Sequence, residues 1–286
     1  MLETLKTACL EVRRSVKDLV GTPEGNTKMS LGAGGDISRK IDLIAEKKVI
    51  DIIKESGKNP TIFGEECGII KGNDNDGYII MDAIDGTTNI TRSIPFNCCS
   101  LAYATDSKMS SVVDAAIIDI ARGDLYYASK DNGAFLNGTK ISVRKTKTDS
   151  IKEDEMIAGV NISGISQELL HSIGPIISRL NHIRVFGANA LELCFLARGY
   201  LDMFMDLRDK IRPTDMAAAF LIVKEAGGLV LDKAGNAFDS ELSFGNRFSF
   251  IALSDIKIFK LFAQDFQFKS NKKEAPGPGF EPGSKE

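Results

Sequence analysis

The sequence is poor in histidine, and this limits the chemistry that the protein can perform. Only His171 and His182 occur among its 286 residues. The shortage excludes zinc sites built on histidine and disfavours hydrolysis by a Ser–His–Asp triad. Catalysis must therefore depend mainly on carboxylates, hydroxyl groups, lysine and arginine.

Cysteine is also scarce, and its spacing does not fit a disulfide framework or a zinc site. The five cysteines stand at positions 9, 67, 98, 99 and 194, an odd number without Cys-x-x-Cys spacing. This pattern is typical of buried thiols in a reducing compartment. We therefore expect a cytoplasmic protein in which Cys98 and Cys99 pack in the core.

The sequence has no long hydrophobic run and no excess of positive charge. No stretch approaches the ~18 apolar residues of a membrane span, and charges are spread through the first twenty residues. Lys and Arg number 36 against 39 Asp and Glu, a net charge of −3. Nucleic-acid and anionic membrane surfaces need excess Lys and Arg, so we expect neither partner. The 43% hydrophobic content instead predicts a globular chain of one or two domains.

Helical periodicity dominates the first fifty residues. Apolar residues recur at helical spacing between residues 2 and 19, which predicts a helix ending at Gly21. After the glycine-rich segment GAGGD, a second apolar face runs from Ile37 to Ile53, with Asp42 early in that helix. Both faces are typical of helices that pack on a core.

The following segments predict a sheet and then alternating strands and helices. Residues 61–63 and 78–81 read as short strands, and residues 97–145 as antiparallel sheet with Asn-Gly hairpins at 132–133 and 137–138. Later we expect strands at 182–186 and 200–205 and helices at 189–198 and 213–226. This predicts an α+β half at residues 1–150 and an α/β half at residues 151–270.

Residues 271–286 differ in composition from the rest of the chain. The segment reads NKKEAPGPGFEPGSKE, and its last eleven residues contain three prolines and three glycines, which predicts a disordered tail. A cloning remnant or a frameshifted tail would have the same composition.

The strongest local signal lies at residues 82–89, where a strand ends in DAIDGTTN. Asp82 and Asp85 offer two metal-binding oxygens, and Gly-Thr-Thr then offers a turn whose N–H groups can cradle a phosphate. Taken alone the pattern is only moderately specific, because Asp-Gly turns are common.

Two other acidic segments strengthen this signal. Glu65 and Glu66 follow the first short strand, and Asp215 follows Pro213 in the first turn of a predicted helix. Each segment alone has an ordinary explanation without a metal. Adjacent glutamates at the end of a strand are usually solvated, and an acid in the first turn of a helix usually interacts with the helix dipole. Together, however, these residues supply the oxygen ligands that Mg²⁺ prefers.

In these motifs the sequence resembles the inositol monophosphatase/fructose-1,6-bisphosphatase superfamily, and more narrowly its archaeal-type members with both activities. The resemblance runs from about residue 5 to 262 and rests on the following segments: GEE at 64–66, DAIDGTTN at 82–89, Asp215 with its Ala-rich helix, EAGG at 225–228, GDISRKID, GAFLNGTKI and RVFGANALELCFLARGYLD. Ala83 replaces the family's usual proline at a position that is not a ligand, so turn rigidity should change more than metal binding. The resemblance implies a layered αβαβα sugar-phosphatase fold of mixed α+β and α/β character.

The resemblance also implies a role for each motif residue. It implies two or three Mg²⁺ ions, which Mn²⁺ could replace. Their implied ligands are Glu65, Asp82, Asp85, Asp215 and the carbonyl of Ile84, with Asp36 at a weaker third site. The residues implied to hold the substrate phosphate are Gly86, Thr87 and Thr88. Those implied to orient and deprotonate the attacking water are Asp42, Glu66 and the Thr87 hydroxyl.

The implied activity is Mg²⁺-dependent hydrolysis of sugar or polyol phosphates, above all fructose 1,6-bisphosphate and inositol 1-phosphate, in a cytoplasmic homodimer. Water activated at the metal site would attack the phosphorus directly. Four cations are candidates to meet a sugar or a second phosphate, although a solvated basic loop is an equal explanation: Arg184, Arg208, Lys210 and Arg212.

Two alternatives remain open at this stage. A phosphatase acting on NADP or 3′-phosphoadenosine 5′-phosphate would share the same metal core. An inactive relative that binds a metal or a phosphorylated ligand would normally have lost a carboxylate or Thr87. A haloacid-dehalogenase-type aspartyl-phosphate route needs DxDGT, whereas this sequence has DxxDGT.

Overall fold

The computed structural model describes residues 1–35, 37–145 and 152–265. Asp36, the predicted boundary near residue 150 and the predicted tail at 271–286 lie outside these ranges. The described residues form seven α-helices. These are α1 (Leu2–Val16), α2 (Lys40–Glu55), α3 (Thr87–Thr91), α4 (Gln167–Arg179), α5 (Asn189–Ala197), α6 (Pro213–Glu225) and α7 (Ile256–Leu261). None of them is long and apolar enough to cross a membrane.

The strands of the described residues form two large sheets and one separate hairpin. The hairpin pairs β1 (Lys28–Leu31) with β2 (Ile37–Arg39). The strands of the first large sheet are β3 (Thr61–Gly64), β4 (Gly68–Ile70), β5 (Tyr78–Asp85), β6 (Cys98–Ala104), β7 (Val112–Asp119), β8 (Leu125–Ser129), β9 (Gly133–Leu136) and β10 (Thr139–Ile141). Those of the second are β11 (Ile157–Val160), β12 (His182–Arg184), β13 (Met203–Ile211), β14 (Leu229–Leu231) and β15 (Phe248–Leu253).

The first sheet has eight strands in the order β10-β9-β8-β7-β6-β5-β3-β4. All its neighbours are antiparallel except β3 and β5, which run parallel, so their carboxyl ends lie at one edge. The second sheet has the order β12-β11-β13-β15-β14, with β12, β11 and β13 parallel and β15 antiparallel to both of its neighbours. The predicted hairpins at Asn132-Gly133 and Asn137-Gly138 join β8 to β9 and β9 to β10.

Helices and sheets alternate in five layers. One apolar cluster joins α1 and α2 to the first sheet, a second lies around α5 and α6 between the two sheets, and a third joins α4 and α7 to the far face of the second sheet. Helix α6 is central, because eleven of its thirteen residues are buried. The layers confirm the predicted αβαβα architecture.

One sequence prediction in this region is wrong. Ile37 was expected on the apolar face of the second helix, yet it lies in β2 and is half exposed. The helix begins only at Lys40, where the Asp42 carboxylate accepts a hydrogen bond from the Arg39 backbone N–H and closes the first turn. Pairing of β2 with β1 holds the preceding residues extended.

Candidate active site

A break in the regular pairing of β5 places the acids of the strongest motif. Residues three apart on a regular strand point to opposite faces of the sheet. The register of β5 against β6 shifts between Asp82 and Asp85, and the Ile84 N–H donates to Asp82 Oδ1 at 3.0 Å. Such an irregularity re-aims side chains, and here the Asp85 carboxylate is close enough for its charge to help raise the pKa of Asp82.

Three carboxylates from distant parts of the sequence converge at this point. Glu65 follows β3, Asp82 lies on the parallel neighbour β5, and Asp215 lies in the first turn of α6. Each offers an oxygen atom, and the three atoms lie within 4.8 Å of one another. We call these three residues the acidic cage.

Asp85 lies beside the acidic cage and is fixed from the other side. Its Oδ2 accepts a hydrogen bond from the backbone N–H of Ala190 in α5 at 2.8 Å. Burial, reinforced by the charge of Asp215, raises the pKa of Asp85 to about 7. The α5 segment therefore belongs to the same constellation as the cage.

The acidic cage concentrates negative charge where water is scarce. Burial raises the pKa of Asp82 well above its usual range, and Glu65, Asp85 and Asp215 add to the effect. Burial likewise raises the pKa of Glu65 to about 7, against the opposing charge of Arg212. Converging buried carboxylates of this kind are stabilised by a cation, and an all-oxygen donor set suits hard ions such as Mg²⁺. The residues present therefore fit a divalent metal.

Arg212 is part of this arrangement. Its Nη1 lies 2.7 Å from Glu65 Oε1, and its Nε lies 3.1 Å from Asp215 Oδ1. One guanidinium thus bridges two of the three cage residues, so its charge is directed at the cage as well as at the neighbouring cleft.

The residues predicted to activate water, Asp42, Glu66 and Thr87, line a cleft of about 630 Å³ next to the cage. Glu65 of the cage and Thr88 line the same cleft. Asp42 is the third residue of α2, and its Oδ2 accepts from the Arg39 N–H at 2.8 Å. Its other oxygen, Oδ1, is buried without a hydrogen-bond partner among the described residues. Burial raises the pKa of Asp42 to about 7, close to the value that suits a base at neutral pH.

Asp215 is held in the same way as Asp42. It is the third residue of α6, and its Oδ2 accepts from the backbone N–H of Arg212 at 2.9 Å. Each of these acids therefore closes the first turn of its own helix.

The turn into α3 brings together the residues predicted to bind phosphate. Gly86 has a φ of +90°, the left-handed conformation that favours glycine. Thr87 begins α3, and its hydroxyl donates to the carbonyl of Ile84 at 3.2 Å. The first N–H groups of a helix have no partner within the helix, so they are free for an acceptor.

Three of the four predicted substrate cations share a second cleft, of about 380 Å³. Arg208, Lys210 and Arg212 line it together with Asn189 and Asp215. Arg184 does not line this cleft. It is exposed on β12, and its Nη1 donates to the carbonyl of Ile183 at 2.9 Å.

Sequence reasoning missed two residues of this region. The Glu46 carboxylate accepts from the backbone N–H groups of Glu66 and Cys67, both at 2.8 Å, and so fixes the turn that carries Glu65. Its position four residues after Asp42, on the same face of α2, was a usable signal. Arg247, which also lines the second cleft, lies in no motif.

Comparison with known proteins agrees with this geometry. A sequence model of the inositol monophosphatase family matches residues 2–268. The chain is 35% identical over 267 residues to the fructose-1,6-bisphosphatase/inositol-1-monophosphatase of Methanothermobacter thermautotrophicus, covering 90% of this chain and 93% of that protein. It is 32% identical over 289 residues to the bifunctional NADP phosphatase/NAD kinase of Methanococcus maripaludis, covering 94% of this chain and 50% of that protein.

A solved structure has the same fold. The crystal structure of an inositol monophosphatase–fructose 1,6-bisphosphatase aligns with a TM-score of 0.79 at 25% identity, covering 92% of this chain and 98% of that chain. With its acidic cage, its Gly-Thr-Thr turn and a family match over nearly its whole length, this chain belongs to the inositol monophosphatase family.

Proposed function

We propose that this protein is a Mg²⁺-dependent phosphatase that hydrolyses phosphate monoesters of sugars and polyols, with fructose 1,6-bisphosphate and inositol 1-phosphate as substrates. The observation that carries the proposal is the convergence of Glu65, Asp82 and Asp215 beside the start of α3. The relative from Methanothermobacter thermautotrophicus, which is named for both activities, supports the choice of substrates.

In this proposal the metal ligands are Glu65, Asp82, Asp85, Asp215 and the carbonyl of Ile84, with Asp36 at a third site. Bound Mg²⁺ would supply charge stabilisation for the transferring phosphoryl group and would lower the pKa of the attacking water. Arg212 balances part of the cage's charge through its pairs with Glu65 and Asp215.

The chain's own groups position the two ends of the reaction. Gly86, Thr87 and Thr88 lie at the start of α3, where the first N–H groups have no partner within the helix, and these N–H groups bind the phosphate oxygens. On the water side, Asp42 Oδ1 has no protein partner among the described residues, so it can accept a proton.

The Thr87 hydroxyl completes the water site together with Glu66. Its proton is donated to the Ile84 carbonyl, so the hydroxyl oxygen, on a residue that lines the cleft, is left to accept a hydrogen bond from water. The water and leaving-group sides then lie on the two clefts that flank the cage.

A second candidate function is hydrolysis of a nucleotide phosphate such as NADP or 3′-phosphoadenosine 5′-phosphate. The similarity to a bifunctional NADP phosphatase/NAD kinase favours NADP, although the match covers half of that protein. An inactive relative is disfavoured, because Thr87 and all of the described carboxylates of the motifs are present. We also propose a cytoplasmic location, on the cysteine pattern, and a homodimer, on the family resemblance.

Metal removal tests the mechanism. Chelation of divalent ions should abolish phosphate release, and added Mg²⁺ should restore it, because the cage carboxylates cannot neutralise a phosphoryl group by themselves. Asp215→Asn should lose most of the activity yet keep its fold, since the amide oxygen can still accept from the Arg212 N–H. Circular dichroism checks the fold, and full activity after thorough chelation would overturn the mechanism.

A substrate panel separates the two candidate functions. Phosphate release should be fastest with fructose 1,6-bisphosphate, followed by inositol 1-phosphate. Exclusive hydrolysis of NADP or 3′-phosphoadenosine 5′-phosphate would instead assign the protein to the second candidate.

A further inference from the structure

The second cleft is shaped by an irregular stretch of β13. The register of β13 against β15 breaks between Asp206 and Ile211, and Asp209 within this break has a φ of +53°. Ser249 holds the bulged segment, because its hydroxyl accepts from the Asp209 N–H and donates to Asp209 Oδ1, both at 2.8 Å. The bulge fixes Arg208 and Lys210 on the cleft that Asn189 and Asp215 also line.

Two of the cations in this cleft are already neutralised by the protein. Arg208 pairs with the buried Asp206 through two hydrogen bonds, Nε to Oδ1 at 2.9 Å and Nη2 to Oδ2 at 2.5 Å. Arg212 pairs with Glu65 and Asp215. A substrate anion would have to compete with these carboxylates for either guanidinium.

The other two cations of the cleft have no carboxylate partner among the residues that the structure describes. Lys210 Nζ donates to the carbonyl of Gly164 at 2.9 Å. Arg247 Nη1 donates to the carbonyls of Asn246 and Phe244, at 2.8 and 3.2 Å. Nε and Nη2 of Arg247 have no hydrogen-bond partner within that part of the chain, so one edge of the guanidinium is free for a bidentate contact.

Strand pairing places Arg247 at the substrate side of the cage. Phe248 at the start of β15 pairs with Ile211 at the end of β13. The two strands are antiparallel, so Arg247 lies beside Arg212, which itself contacts the cage. Arg247, which has no carboxylate partner in the described part of the chain, thus lines the same cleft as Asp215 of the acidic cage.

We propose that Arg247, with Lys210, binds the remote phosphate of a sugar bisphosphate and is the residue that sets the preference for bisphosphates over monophosphates. This inference rests on the proposed phosphatase function and extends it to a residue outside every motif. Lys210 supplies a point charge, whereas the planar guanidinium of Arg247 supplies two parallel donors.

The test compares Arg247→Ala and Arg247→Lys with the wild type on fructose 1,6-bisphosphate and inositol 1-phosphate at saturating Mg²⁺. A charge-assisted contact to a phosphate is lost in R247A, so kcat/KM for the bisphosphate should fall about tenfold to a hundredfold, mainly through KM. The value for inositol 1-phosphate should change by less than about twofold, since that substrate has no second phosphate. R247K keeps the charge without the bidentate geometry, so its kcat/KM for the bisphosphate should lie between those of the wild type and R247A.

Arg14→Ala is the matched control, because Arg14 is an exposed arginine on α1, in the layer on the other face of the first sheet. It should leave both kcat/KM values unchanged. Circular dichroism and melting temperature establish that R247A and R247K are folded.

The possible results separate this inference from the function on which it rests. Equal losses on both substrates, or no loss on either, would overturn the role of Arg247 while leaving the phosphatase activity standing. A wild-type protein that hydrolyses none of these esters would overturn the proposed function and this inference with it.

Discussion

The position of the acidic cage depends on Glu46, a buried carboxylate that is not itself expected to touch the metal. Both of its oxygens accept backbone N–H groups from the turn at Glu66 and Cys67. The chain makes room for it at Gly64, where a Cβ atom would lie 2.6 Å from Glu46 Oε1. The turn that carries Glu65 is therefore anchored to α2.

We predict that Glu46→Gln weakens Mg²⁺ binding about tenfold to a hundredfold, the usual effect of losing a residue that orients a metal ligand. Glutamine has one acceptor oxygen, so its NH₂ group would face a backbone N–H that now lacks a partner. The Mg²⁺ concentration for half-maximal phosphate release is the measurement. Glu55→Gln, exposed at the end of the same helix, is the control. Unchanged Mg²⁺ affinity in E46Q would show that the turn holds without Glu46.

Glu192 in α5 is a second buried acid with a measurable signature. Its Oε1 accepts from the Gly187 N–H at 3.1 Å, and its Oε2 has no hydrogen-bond partner among the described residues. Burial raises its pKa from 4.5 to about 8, and the charge of Asp85 adds to the shift. The folded protein therefore keeps a proton on Glu192 at pH values where the unfolded chain releases it.

This difference predicts a pH dependence of stability. Between about pH 4.5 and 8 the folded state binds more protons, so Glu192 lowers the free energy of unfolding as pH rises, by at most about 1.4 kcal/mol per pH unit. Glu192→Gln removes this effect, so its melting temperature should rise relative to the wild type from pH 5 to pH 8, by calorimetry at saturating Mg²⁺. A difference that stays constant with pH would contradict the prediction.

The sequence predicted which acids gather at the site better than it predicted what the cations do. Short motifs singled out Glu65, Asp82 and Asp215, which the structure brings together. Arg212 was expected to meet substrate, but its guanidinium pairs with Glu65, which lies far away in the sequence. Composition and spacing carry no information on contacts between residues so far apart in the sequence. For the same reason nothing in the sequence pointed to Arg247.

Among the elements, the left-handed turn before α3 is the one on which phosphate binding depends most directly. A Cβ atom on Gly86 would lie 3.0 Å from the Phe96 carbonyl oxygen and 3.1 Å from the Ala188 side chain. The buried Asn89 in α3 also donates to the Phe96 and Phe186 carbonyls, at 2.8 and 2.7 Å. The turn is therefore enclosed on both sides.

We predict that Gly86→Ala lowers kcat by up to about a hundredfold, because a displaced α3 misplaces the phosphate-binding N–H groups. Gly138→Ala is a matched control: its φ is +85°, and a Cβ atom there would meet nothing within 4 Å. Both variants should lose about 1–2 kcal/mol of stability through left-handed strain. Only G86A should lose activity, measured as phosphate release per folded molecule. Full activity in G86A would show that the neighbours can move aside.

Hydrophobic periodicity predicted most of the helices and strands that pack on a core. It gave a wrong prediction for β2, which does not pack on a core. Helix α6 and strands β3 and β5 lie where apolar patterns placed them, and α1 begins as predicted but ends at Val16 instead of Gly21. Ile37 fits the apolar spacing of the second helix but lies half exposed in the hairpin of β1 and β2. An apolar residue on a small two-stranded sheet carries no signal that separates it from a buried one.

At the scale of the molecule, the two sheets are joined by one apolar interior. The cluster around α6 includes Ala115 and Tyr126 of the first sheet and Phe204 and Phe250 of the second. Helix α6 also carries Asp215, while Glu65 and Asp82 come from the first sheet. The cage is therefore complete only when the first sheet is packed on α6.

We predict that the protein unfolds in a single cooperative transition. Separation of the two sheets would expose the buried faces of α5 and α6, which leaves neither sheet with its central core. Differential scanning calorimetry should give equal calorimetric and van't Hoff enthalpies. Two resolved transitions would instead support independent folding of residues 1–150 and 151–270, a division that stays a prediction.

The two acids that close the first turns of α2 and α6 have a consequence for ligand binding. Asp42 and Asp215 are immobilised by their own helices before any cation or water arrives. The conformational entropy of ordering these side chains is lost during folding, so binding need not oppose it again. An acid of this kind is a stronger ligand than the same residue on a free loop. A replacement that cannot accept the N–H hydrogen bond would loosen the helix as well as remove a charge, whereas asparagine removes only the charge.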